Sequence, residues 1–90
     1  MTNREKLLQI LRRTFPQMWT KYSEQFDGRT DAIWTGEGCY MANGDDMFNH
    51  SLDGGSYTMG VHNDLVAVLD KHNWFAEWAD GGTVFIYKND

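Results

Sequence analysis

Ninety residues, 41% hydrophobic and 23% charged, describe one folded domain over residues 1–90 and argue against an intrinsically disordered chain. A formal charge of -5 argues against a direct nucleic-acid or anionic-membrane binder, both of which need clustered positive charge. The single cysteine, Cys39, excludes an intramolecular disulfide framework and makes a reducing cytoplasm the expected compartment.

The opening segment predicts a helix, because Leu7, Leu8, Leu11 and Phe15 return to one face every 3.6 residues. Thr2 followed by Glu5 is a capping-box signature at its start. No signal peptide fits this opening, since Gln9 interrupts its apolar stretch and Arg12-Arg13 follow it. The apolar face continues through Met18, Trp19, Tyr22 and Phe26, yet Pro16 removes an amide and disfavours helical geometry at Phe15. Two outcomes remain open: one helix kinked near Pro16 and running to about Gln25, or two helices meeting near Phe15. Gly28 is the expected stop.

From Arg29 to Gly60 the helical period is lost. Short apolar groups alternate with Gly36-Glu37-Gly38, Asn43-Gly44-Asp45-Asp46 and Asp53-Gly54-Gly55, which predicts an antiparallel meander of short strands. Helical spacing resumes with Val61, Leu65, Val68, Leu69 and His72, capped by His62 or Asn63 and with Asp64 in the first turn. Leu65 to Leu69, the longest apolar run, is far short of the roughly 20 residues a membrane span requires. The tail reads as a hairpin around Asp80-Gly81-Gly82. With Asp80-Gly81 as the loop, Trp74, Ala76 and Trp78 share a face with Thr83, Phe85 and Tyr87. With Gly82 in the loop, the pairing slips by one residue and Trp78 meets Val84. The expected architecture is α+β, with an antiparallel sheet and the helices on one of its faces.

Chemistry-bearing constellations are sparse. Asp46, His50, Asp53, His62 and Cys39 offer metal-ligating atoms, but none are at a recognised zinc spacing. Asp45, Asp46, Asn49 and Asp53 lack the spacing of a calcium loop, and Asp, Asn and Gly are what turns use. Cys39, between Gly38 and Tyr40, reads as a small buried strand residue and not as a nucleophile. Nothing favours Glu37 and Glu77 as a carboxylate pair. Gly36-x-Gly38 and Gly54-Gly55 lack the following helix that a phosphate cradle needs. No catalytic residue, metal site or cofactor is assigned, and the chain reads as non-enzymatic.

Charge distribution is more informative. Residues 1–29 hold six bases against three acids, whereas residues 30–90 hold ten acids against Lys71 and Lys88 alone. Asp45, Asp46, Asp53 and Asp80 would form a negative loop surface, and Arg4, Arg12 and Arg13 a positive patch on the first helix. Such a field attracts basic sites on a protein partner. The alternative is a homo-oligomeric assembly protein, in which an aromatic sheet face and the helix bases meet the acidic strands of a neighbour.

Residues 60–87, GVHNDLVAVLDKHNWFAEWADGGTVFIY, resemble small accessory proteins encoded in bacteriophages and prophages, and GEGCYM with Asp45 to Phe48 fits the same pattern. The resemblance implies a viral or prophage gene whose product acts in the host cell by binding and blocking a host protein. It implies no catalytic role.

Overall fold

The first helix, α1 (Asn3–Thr14), starts where its sequence signature places it: Thr2 Oγ1 accepts the Glu5 amide, and the Glu5 carboxylate accepts the Thr2 amide. In this computed structural model, which describes residues 2–89, Pro16 breaks the helix outright and does not kink it. No second helix begins there. Residues 18–20, in neither helix nor strand, lead into a short strand, β1 (Lys21–Tyr22), and only one helical turn follows, α2 (Glu24–Asp27), closed by Gly28 in the left-handed conformation. The helical spacing of Met18, Trp19, Tyr22 and Phe26 is therefore not used as such. Tertiary strand pairing overrides it once proline has ended the helix.

Strand β2 (Ile33–Gly36) is followed by β3 (Tyr57–Thr58), β4 (Val61–His62), the helix α3 (Asn63–Lys71) and the hairpin strands β5 (Trp74–Asp80) and β6 (Thr83–Lys88). All pairing is antiparallel, and the chain is of the α+β class. The strands form two sheets: four strands in the order β1-β2-β6-β5, and the separate pair β3-β4. Residues 29–60 thus hold antiparallel pairing, but β2 bonds to β6 near the far end of the chain. Between β2 and β3 there are only isolated bridges, Tyr40 with Asp46 and Gly54 with Tyr57 inside the segment and Phe48 with Val61.

The hairpin adopts the register with Gly82 in its loop: Asp80 faces Thr83, a bulge falls between Trp78 and Asp80, and Trp78 faces Val84. Its alternation therefore divides the side chains into two layers. Val84 and Ile86 join Leu7, Leu8 and Leu11 of α1, Leu65 and Leu69 of α3, and Ile33, Met47, Phe48 and Trp74 in one buried cluster, with Ala76 and Trp78 packed against it. Phe85 points the other way yet is only 1% exposed. Phe26 covers it with ring centroids 5.2 Å apart, and the Arg29 guanidinium lies 4.2 Å from its ring centre. Trp34 extends this outer layer against Phe26 and Trp19.

Helix α3 is capped by His62, whose Nδ1 accepts the Asp64 amide at 3.1 Å. Val61 belongs to β4 and not to the helix. Asn73, just past the end, takes the left-handed conformation at φ 67° and lets the chain reverse into β5.

Residues 15–20 form a strap over the turn that follows β2. Trp19 Nε1 donates to the Glu37 carbonyl at 2.7 Å, and the Trp19 carbonyl accepts Thr35 Oγ1 at 2.8 Å. The Tyr40 amide donates to the Gln17 carbonyl, and Cys39 is buried beneath, its sulfur 3.3 Å from Thr35 Oγ1.

One ion pair ties α1 to the turn after β1. Arg4 donates two hydrogen bonds to Glu24, at 2.5 and 2.9 Å, and a third to the Ala32 carbonyl, while stacking 4.3 Å above the Tyr22 ring. These bonds hold the Glu24 carboxyl down at about 2 against a usual 4.5. A carboxyl depressed by folding stabilises the native state above its unfolded pKa, and that contribution is lost as pH falls toward the folded value. Between about pH 4.5 and 2, Glu24→Gln is therefore expected to flatten the decline in urea midpoint seen in the parent chain. An unchanged acid limb would show that the pair is not formed in solution.

Candidate functional site

The acidic residues of the loops are, first of all, turn-builders. Asp45 accepts from Asn43 Nδ2, and its own amide donates to Asn43 Oδ1, closing the tight Asn43-Gly44 turn under the Tyr40–Asp46 bridge. Asp46 Oδ2 accepts Asn49 Nδ2 at 3.2 Å, and its carbonyl accepts the Tyr57 hydroxyl at 2.7 Å. Asp80 Oδ1 accepts the Gly82 amide at 2.9 Å, and that bond keeps the carboxyl below its usual range. Asp53 Oδ1 accepts the Met59 amide at 2.8 Å.

These turns are not scattered, because β2 and the β5-β6 hairpin meet at one end of the larger sheet. The Glu37 amide donates to the Gly82 carbonyl at 3.1 Å, locking the turn after β2 to the hairpin loop. Between that pair and the 45–51 loop lies a polar cleft of about 460 Å³, lined by Glu37, Tyr40, Asp46, Asn49, His50 and Gly81 among others. Phe48 closes its floor, and Tyr40 stands 43% exposed on its wall. Asp45 precedes Asp46 on the same turn, and Asp80 sits one residue behind Gly81. Burial raises the Tyr57 hydroxyl pKa, and the charges of Asp45 and Asp46 push it further in the same direction.

Of the sequence-derived acidic residues, Asp45, Asp46 and Asp80 thus belong to one end of the fold. Asp53 supports the turn at Met59 instead. Glu37, set aside as a catalytic partner of Glu77, is the carboxylate the fold adds to the cleft; its place between two turn glycines was the available signal. The positive patch is divided differently from its expectation. Arg12 and Arg13 are exposed in the last turn of α1, whereas Arg4 is partly buried and engaged with Glu24. Arg29 is likewise paired with Asp27 and donates to the Tyr87 hydroxyl.

Among the described residues no three His, Cys, Asp or Glu side chains come together as metal ligands. His62 and His72 cap the two ends of α3, and His50 packs edge-on against Trp78 with centroids 5.0 Å apart. No described helix is long and apolar enough to cross a membrane. No protein-family model, curated protein or solved structure matches this chain.

Proposed function

We propose that this chain is a small acidic, non-enzymatic interaction protein that binds a basic region of a protein partner at the cleft between Glu37, Tyr40, Asp46 and Gly81. The convergence of three separate turns on that cleft carries the reading. Glu37 and Asp46 supply the attraction, Asp45 and Asp80 widen the negative field behind them, and the exposed Tyr40 ring can stack on an incoming lysine or arginine. The resemblance of residues 60–87 to phage and prophage accessory proteins makes a host protein the natural partner, with inhibition of that protein as the outcome. The cytoplasm of the host is where the two would meet.

The test is capture of partners from a bacterial lysate by the parent chain and by a Glu37→Gln, Asp46→Asn variant, each washed at low and high salt. A partner held through this cleft is expected to bind the variant about tenfold or more weakly, and to be released from the parent as salt screens the contact. A partner retained equally by both, in high salt, would place recognition elsewhere.

A further inference from the structure

β5 is the last strand of the larger sheet and bonds to β6 on one side only. Among the described residues, the backbone of Phe75 to Ala79 makes no other backbone hydrogen bond. A strand of seven residues with a free row of amides and carbonyls is a template for a further strand. Along this edge runs an apolar groove of about 370 Å³. Four consecutive β5 residues, Phe75, Ala76, Glu77 and Trp78, line it from both faces of the pleat, and Val66 and Leu69 of α3 form its opposite wall.

The rim of the groove is built in advance. Met59 is 74% exposed and held at φ 49°, its amide bonded to Asp53 and its carbonyl to Trp78 Nε1. That clamp fixes the backbone of an exposed residue whose thioether side chain adapts readily to an apolar neighbour. The carboxylates on the lining belong to Glu77 and Asp70, and the lining includes no basic side chain.

We propose that the free edge of β5 binds an extended segment of a partner protein as an added antiparallel strand, and that this segment alternates apolar residues with lysine or arginine. Backbone pairing supplies affinity, and the groove selects an apolar side chain. Glu77, on the face of β5 turned away from α3, selects the positive charge. A second copy of this chain is the poorer occupant. Full antiparallel self-pairing of Trp74–Asp80 turns about Glu77 and sets that carboxylate against its own copy, a destabilising arrangement. This inference concerns a surface separate from the Asp46 cleft and does not depend on it.

The full chain, labelled for amide NMR, would be titrated with three end-blocked peptides. One alternates lysine and valine, one alternates glutamate and valine, and the third is the lysine peptide N-methylated along one edge. The lysine peptide is expected to shift and protect amides within Phe75 to Ala79. N-methylation, the glutamate exchange and the chain variant Glu77→Lys should each weaken binding about tenfold or more, while Glu37→Gln with Asp46→Asn leaves it unchanged. Equal binding of the N-methylated peptide would overturn the proposal, because strand pairing would then play no part. So would shifts confined to the Asp46 cleft, failure of the lysine peptide to bind, or a dimer in which the β5 amides are already protected.

Discussion

Alanine at Gly60 is expected to cost about 3 kcal/mol, a large share of the 5–15 kcal/mol typical of a folded domain. Two effects add. The residue sits at φ +81°, where a side chain costs about 1 kcal/mol or more. A Cβ there would also lie 2.8 Å from the Asn49 carbonyl oxygen, 3.0 Å from Trp78 Cζ2 and 3.2 Å from His50 Cα. Neither backbone neighbour can swing aside, because the Asn49 amide is itself bonded to the Gly60 carbonyl at 2.8 Å. Relief requires separating the 48–51 loop from the turn between β3 and β4, at a cost of roughly 1–3 kcal/mol for overpacking. Gly44→Ala is the control: φ is +91° but nothing lies within 4 Å of its Cβ, so only the conformational cost of about 1 kcal/mol applies. Urea denaturation of the two variants separates the effects. Equal losses would mean that Gly60 is not closely approached.

Truncating Phe85 to alanine is expected to cost about 3–5 kcal/mol, the usual range for a buried aromatic. What makes this informative is the direction the side chain faces. It leaves the main cluster and is buried instead by Phe26, Arg29 and its cross-strand neighbours. Phe26→Ala should cost much less, about 1 kcal/mol, since Phe26 is itself 42% exposed. A loss at Phe85 no larger than that at Phe26 would show that the outer layer is not packed in solution. Aromatic residues thus pack in two separate layers, Phe48 and Trp74 in the main cluster and Phe26, Trp34 and Phe85 in the outer one.

The helix boundaries set by local chemistry were legible in the residues. Thr2 with Glu5 and His62 before Asp64 act through bonds spanning a few positions, and Gly28 through its own left-handed conformation, all of which one sequence displays. What depended on distant partners was not. Met18 to Tyr22 carry a helical spacing, but their conformation follows from β1 pairing with β2, a relation no local pattern records. The hairpin register was undecided because Gly81 and Gly82 both tolerate the loop. The structure decides it through burial, which puts Val84 and Ile86 into the same cluster as α1 and α3. Arg4 read as a surface charge because its partner lies twenty positions away. The acidic turns were legible as turns, but their meeting at one cleft, and the open edge of β5, follow only from the strand order.

The strap of residues 15–20 has a further consequence for the single thiol. Cys39 is sealed beneath Trp19, so an oxidant or electrophile reaches its sulfur only when the strap lifts. The rate of any such reaction is then set by the frequency of that local opening and not by the intrinsic nucleophilicity of the thiolate. Oxidative damage to this chain would be kinetically gated, accumulating in molecules that breathe and sparing those whose strap stays closed.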